Sequence, residues 1–379
     1  MPFSKLKGKN LMLTDMFYQP ANKLNDYKDR LNVIYKDLDT GEKKLMVIME
    51  PETSIYVVKP EFRNFRKPRH YLEKYMVDEH VVKFRNVLFE IAKIQGEEAA
   101  KEFKRMGWSD KKQFYKYPYV LGGDIDIETV YRYKWHKQLG NDLRKPVSVV
   151  FADIETDQKY YDGAMAKHGE VPVNAITAVD KDSMTSYALL LNDPRNPQIP
   201  PFIDDIDNFI KELHDDFDET YGVMEYKIYM FDSETELIKT FFRLINSLKR
   251  DFCLFWNMSF DAIYLQDRLR ELGEDPADVI CHPDFEYPIS YYFEEKDPKY
   301  FSFATKRDFW DVTTYTHYID QLIVYASGRK SQGTVRELSL GAVARDLIKD
   351  DKLDYSEYAN IRTFAHDDYR LFTKYAIKD

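Results

Sequence analysis

The sequence predicts an α/β protein, a larger domain built on a mixed sheet and preceded by a smaller α+β domain. Three observations lead there. The continuous apolar run "VSVVFADIETD" has the pattern of a strand buried in a central sheet. After it, strand-like and helix-like segments alternate. Before Lys145-Pro146 the texture differs, with short strand-like runs around a charged helical pattern, so the boundary is placed there and the domains are 1–146 and 147–379.

In the first domain "KKLMVIME" and "TSIYVVKP" read as strands, and a charged helical pattern runs from Glu79 to Met106 with "VLFEIAKI" in its middle. In "YPYVLGGDIDIETVYRYKWHKQLGND", Gly122-Gly123 marks a turn, since no Lys-Ser/Thr helix start follows to make it a phosphate cradle. In the second domain "NAITAVDKDSMTSYALLL" reads as two strands joined by a polar turn. Asn192 to Asp218, rich in Pro and Asp, reads as a loop. The strand "YKIYMF", the helix "TELIKTFFRLINSLKR" and the strand "FCLFWN" follow, and then the helix "DAIYLQDRLREL", whose Ala262, Leu265, Leu269 and Leu272 share one face.

Bulk properties exclude several function classes. The 379 residues, 44% hydrophobic, suffice for two or three packed cores. No run approaches the roughly 18 uncharged apolar residues of a membrane span, and "MPFSKLKGKN" is polar where a secretory signal needs an apolar core, so a cytoplasmic location is expected. Cys253 and Cys281 lack CxxC or CxxH company and are expected to be buried, reduced thiols. A net charge of -10 argues against holding nucleic acid by bulk charge and leaves a local basic groove open. It suits clustered carboxylates for divalent metals, although an acidic balance more often means only a soluble surface.

Three places carry candidate chemistry. Asp153-Ile154-Glu155 lies in the apolar strand, where alternation projects both acids from one face and Ile154 into the opposite core. Neighbouring carboxylates repel, and a divalent cation is the usual reason to tolerate that; a solvated strand end is the plain alternative. In "WNMSFDAIYL", Asn257 closes a strand and Asp261 opens a helix, where an Asp also serves simply as N-cap and Phe260 simply as core. In "YAIKD", Tyr375 and Asp379 stand at i and i+4 on one helical face. None of the eight histidines forms a ligand-spaced cluster.

Taken in order, D-x-E on a first strand, N-x-x-x-D at a strand-to-helix junction and Y-x-x-x-D on a late helix resemble the three exonuclease motifs of family B DNA polymerases, the DEDDy group of RNase H-like nucleases. "VVFADIET" and "LFWNMSFDAIYL" are similar to the family's first two motifs with their flanks. "ELSLGAVARDLI" is similar to its Ser/Thr-Leu-x-x-apolar segment, "DKLDY" to its Lys-x-x-apolar segment, and "GGDIDIETVYRYKW" to the stretch before its exonuclease domain. The likeness is most specific over 147–379 and is greatest to polymerases of large tailed bacteriophages. It implies an RNase H-like fold and proofreading 3'-5' hydrolysis of DNA with two divalent ions, Mg2+ or Mn2+, about 3.5 to 4 Å apart. It implies that Asp153, Glu155, Asp261 and Asp379 hold the metals, with Asp153 bridging, and that Tyr375 orients the attacking water. Thr156, Asn257, Phe260, Ser339, Leu340 and Lys352 match positions that contact the strand or the scissile phosphate, although Phe260 and Leu340 also fit a core and Lys352 a surface. Asp311 in "FWDVTTY" matches an aspartate often found after a strand, with a structural hydrogen-bonding role expected.

Polymerase palm motifs such as D-x-x-S-L-Y-P and Y-x-D-T-D do not occur in the 379 residues. The expectation is therefore a proofreading part whose DNA partner is a single-stranded 3' end or primer-template, with palm, fingers and thumb on a partner chain or a continuation. The rivals are a DEDDy exoribonuclease and a non-catalytic subunit that binds DNA and docks a polymerase.

Overall fold

The computed structural model describes residues 2–378 apart from 24–25, 64–71, 141–146, 164, 301, 330–336, 351 and 354–361. Its contacts divide the chain into two compact units, Met1–Lys145 and Pro146–Asp379.

The first unit holds two small antiparallel sheets. One is β1 (Leu11–Gln19), β2 (Arg30–Asp37) and β3 (Lys43–Met49); in the other, β4 (Glu52–Val58) lies between β5 (Val77–Lys83) and β6 (Val120–Leu121). Among the described residues the α-helices α1 (Val87–Gln95), α2 (Glu97–Arg105), α3 (Trp108–Lys111) and α4 (Ile127–Leu139) accompany them. Tyr131 and Trp135 of α4 share a core with Leu13, Leu31 and Val33, while Val87 and Ile91 of α1 share another with Ile55 and Val57. The single helical pattern expected from Glu79 to Met106 is in fact three elements. Residues 77–83 pair with β4 as a strand, which Val81 and Val82 favour, and Gly96, at φ 130°, separates α1 from α2.

The second unit is built on a six-stranded mixed sheet. Its strands are β7 (Val149–Thr156), β8 (Val173–Asp180), β9 (Thr185–Leu191), β10 (Glu225–Phe231), β11 (Phe252–Phe255) and, after a separate hairpin of β12 (Ser290–Phe293) and β13 (Phe309–Val312), β14 (His317–Asp320). They lie in the order β10-β9-β8-β7-β11-β14. β8 is antiparallel to both neighbours, and all other pairings in this sheet are parallel. The helices are α5 (Ile199–Asp204), α6 (Ile206–Tyr221), α7 (Glu234–Leu248), α8 (Met258–Glu271), α9 (Pro276–Ile280), α10 (Gln321–Arg329), α11 (Leu340–Leu347), α12 (Phe364–Asp367) and α13 (Tyr369–Lys378). This is the RNase H-like arrangement the sequence led us to expect.

Each face of the sheet has its own core. Val150, Ala152 and Ile154 of β7 meet Leu237, Phe241 and Ile245 of α7 and Ala262, Leu265 and Leu269 of α8. On the other face Ala175 and Ala188 leave room for α6 and α13, which bring Phe209, Leu213, Phe217, Phe372 and Tyr375. The segment Asn192–Asp218, expected to be a loop, contains α5 and most of α6. Pro200 and Pro201 stand at the start of α5, where a missing N–H costs nothing, and Asp215 and Asp216 face solvent while Phe209, Leu213 and Phe217 form a buried stripe at i, i+4 and i+8. Cys253 and Cys281 are buried and unpaired. Among the described residues no helix is long and apolar enough to cross a membrane.

Candidate active site

Because Val150, Ala152 and Ile154 enter the α7/α8 core, Asp153 and Glu155 share the opposite face of β7, and both are half-buried. The ladder with β8 shifts register between Glu155 and Thr156, at the strand's end, where Thr156 Oγ1 accepts from Gln158 Nε2 at 2.6 Å. Beside β7, β11 leads into Asn257, which adopts the left-handed region (φ 67°) at the N-cap of α8 and accepts from Ser259 Oγ through Oδ1 at 2.9 Å. Asp261 does not open this helix as expected. The helix begins at Met258, so Asp261 sits one turn inside it and is 2% exposed. Phe260 packs on the same core, its ring 5.4 Å from that of Tyr264.

Helix α8 is held tightly. The Tyr264 hydroxyl donates to Val171 O at 2.8 Å and accepts from Val171 N at 3.2 Å. Arg268 makes a two-pronged pair with Glu234 at 2.6 and 2.7 Å and donates to Gly169 O at 3.0 Å. This fixes the environment of Asp261, whose carboxyl is pushed well above the usual carboxylate range by burial and then by the charges of Asp153, Asp320 and Glu155, with a backbone N–H opposing. Burial and the Asp261 charge also raise the thiol of neighbouring Cys253, which makes it an inert core group. A buried carboxyl among other carboxylates either keeps its proton or is neutralised by a cation. The oxygens of Asp153, Glu155 and Asp261 are hard donors, the chemistry that suits a divalent cation, although no three such groups around Asp261 have their ligand atoms within 4.8 Å of one another among the described residues.

The third expected motif lies on α13. Tyr375 is buried, accepts at its hydroxyl from Lys352 Nζ at 3.1 Å, and has that ammonium 5.3 Å from its ring centroid. Asp379 lies outside the described residues, as do Asp351, Asp354 and Tyr355 of "DKLDY". Arg370 and Lys374 tie α13 to Glu212 of α6 at 2.8 and 2.9 Å. Ser339 is the N-cap of α11, with Oγ accepting from Ala342 N at 3.4 Å and donating to Glu337 at 2.9 Å. A cleft of about 330 Å3 brings Asp153 together with Trp256, Gln321, Leu340, Ile377 and Lys378. Of the expected site residues among those described, only Asp153 and Leu340 line it; Glu155, Asp261, Tyr375, Thr156, Asn257, Phe260, Ser339 and Lys352 do not.

Asp311 is not the aspartate that follows a strand of the central sheet. It is an exposed residue within β13 of the separate hairpin. An aspartate that does close a strand of the central sheet is Asp320, the last residue of β14, opposite Phe255 of β11 and 4% exposed. The signal for it was "HYID", a short run ending in an acid, which differs little from "FWDV" in sequence alone.

Among the described residues, one set of three acidic or imidazole groups has its ligand atoms all within 4.8 Å of one another: Asp157, Asp193 and His366. The set is able to hold a cation, but it already has cationic and N–H partners. Arg195 grips Asp193 at 2.7 Å and lies 3.8 Å from Asp157, and His366 Nε2 lies 3.2 Å from both Asp157 oxygens. A larger cavity, about 570 Å3, is lined by Lys239, Arg243, Lys249 and His282 and lies apart from the carboxylates. Its cations are engaged with Glu274 (2.7 Å), Glu236 (3.1 Å) and Asp284 (3.6 Å) in turn.

A sequence model of the exonuclease domain of DNA polymerase family B matches residues 71–307, 237 of the 379 residues. The chain belongs to that family. The matched span of this family B exonuclease domain includes Asp153, Glu155, Thr156, Asn257, Phe260 and Asp261, whereas Asp320, Ser339, Leu340, Lys352 and Tyr375 follow it. Exonuclease domains of this family use divalent metals, in keeping with an all-oxygen acidic centre. A comparison with the curated proteins found no match.

Proposed function

We propose that this chain is a proofreading 3'-5' exodeoxyribonuclease that removes terminal nucleotides from single-stranded or frayed DNA. The observation that carries this reading is Asp261, a carboxyl buried one turn into α8 and under the charge of Asp153 and Glu155, in a chain of the family B exonuclease kind. Asp153, Glu155, Asp261 and Asp379 would hold two ions, Mg2+ or Mn2+. Such a pair supplies a nucleophilic water at neutral pH and stabilises the leaving 3' oxygen.

The chain's own residues do the rest. Lys352 donates to the Tyr375 oxygen, and the hydroxyl so held would orient the attacking water. Leu340 and Trp256 give the cleft an apolar wall against which a terminal nucleotide can lie, beside Lys378, which is paired with Asp350 at 3.0 Å. Thr156, Asn257, Phe260 and Ser339 stand outside the cleft wall and would meet the strand as it enters. A palm, fingers and thumb assembly, on a partner or continuation, would deliver frayed primer ends.

The test is degradation of 3'-labelled single-stranded DNA in Mg2+ or Mn2+, compared with the same chain carrying Asp153→Ala and Glu155→Ala. Loss of digestion to background in the double variant is expected. Binding of DNA without metal-dependent cleavage would make the chain a docking subunit, and preference for RNA ends would make it an exoribonuclease.

A further inference from the structure

We propose that Asp320 is a fifth carboxylate of the centre, contributing its Oδ2 atom to the divalent cation held at Asp261; this rests on the metal-dependent reading above. Three observations place it. β14 pairs in parallel with β11, with Phe255 opposite Asp320, so Asp320 ends its strand beside the turn that leads into α8. Its charge acts on Asp261, together with those of Asp153 and Glu155. The next residue, Gln321, lines the same cleft as Asp153.

The carboxylate is also divided in its use. Oδ1 accepts from Ile323 N at 3.1 Å and so caps α10, whereas Oδ2 is buried with no hydrogen-bond partner, in a residue 4% exposed. Capping needs one acceptor, which Asn or Ser provides nearly as well. A second carboxylate oxygen left unpartnered in the interior costs free energy unless something positive meets it. The charge of Lys306 acts on Asp320, but its ammonium is engaged with Asp308 at 2.6 Å. A divalent ion at Asp261 supplies the missing charge.

The experiment measures Mn2+ binding to the full chain by the EPR signal of free Mn2+, for wild type, Asp320→Asn, Asp320→Ser and Asp153→Ala, with thermal unfolding in EDTA run alongside. Both Asp320 variants keep the cap and lose the charge, so each should unfold cooperatively in EDTA yet bind Mn2+ about 10-fold or more weakly. Affinity within about twofold of wild type in both, while Asp153→Ala binds weakly, would reduce Asp320 to a helix cap and overturn the inference alone. Unchanged affinity in Asp153→Ala as well would overturn the reading of the centre, and this inference with it. Failure of both Asp320 variants to fold in EDTA would also overturn it, by showing that the residue serves stability rather than the cation.

Discussion

Replacing Asp261 by Asn should stabilise the metal-free protein while destroying its function. The carboxyl is 2% exposed, and burial followed by the charges of Asp153, Asp320 and Glu155 raises its pKa above the unfolded value. A native carboxyl that is raised binds more protons than the unfolded one, so stability falls as pH climbs from the unfolded pKa toward the native one, and the whole penalty is present above it. Asparagine keeps the shape and an acceptor but has no charge to bury. Relief of an uncompensated buried polar group is worth about 1–3 kcal/mol, and more when it is charged. A cooperative unit of 150–250 residues shifts by about 2–4 °C per kcal/mol, so the expected gain in Tm is about 2–12 °C at pH 8 in EDTA. The gain should shrink as pH falls and vanish below about pH 4, where the unfolded carboxyl becomes protonated as well. Differential scanning calorimetry in EDTA across that range, repeated in millimolar Mn2+, reads both parts. Manganese should raise Tm of the wild type and do much less for Asp261→Asn. A variant less stable than wild type at pH 8 in EDTA would refute the reasoning, since it would mean the carboxylate is satisfied by the protein alone.

Three further outcomes follow from the contacts around the centre. Tyr375→Phe should lower kcat by about 100-fold through misplacement of the water and leave DNA affinity unchanged, while Lys352→Met, acting through Tyr375, should cost less; an equal or larger loss in Lys352→Met, measured in single-turnover digestion, would argue for a direct contact of that lysine with the strand. Arg268→Met strands Glu234, whose side chain is 9% exposed, and should cost about 3–5 kcal/mol in denaturant unfolding, part of which Glu234→Gln restores in the double variant. Gly169→Ala should destabilise by about 2–4 kcal/mol, because Gly169 has φ +75° and a Cβ there would lie 2.5 Å from Arg268 N on rigid α8; a shift of only a few tenths in the same unfolding assay would show that this loop gives way.

Some of this was legible in the amino-acid order and some was not, for physical reasons. β7 could be read because a central strand is apolar throughout, so that two acids interrupting it at period two stand out. Helix α6 could not, because its solvent face is dense with Asp and its approach holds Pro200 and Pro201, which together mimic a loop. The acid-rich surface hid the stripe of Phe209, Leu213 and Phe217. β5 failed for the opposite reason: its charged residues suit an exposed edge as well as a helix, and only pairing with β4 decides. The N-cap expected at Asp261 belongs to Asn257, because the left-handed turn there starts α8 earlier than the apolar pattern suggests.

Asp320 shows where sequence reading stops, since nothing local separates it from Asp311 and only topology does. β7, β11 and β14 are neighbours that run in one direction, so the ends from which Glu155, Asn257 and Asp320 follow lie side by side at one edge of the sheet. β7 is also where the order reverses, with antiparallel β8 on one flank and parallel β11 on the other. Open α/β sheets leave their crevice at such a reversal, outside the carboxyl ends of the strands. Asp153, Glu155 and Asp320 therefore act on one carboxyl because each lies on or closes one of these parallel strands, and α8 turns back at Asn257 to bring Asp261 under their charge. Asp311, on a two-stranded hairpin outside that sheet, has no route to the crevice however similar its flanks.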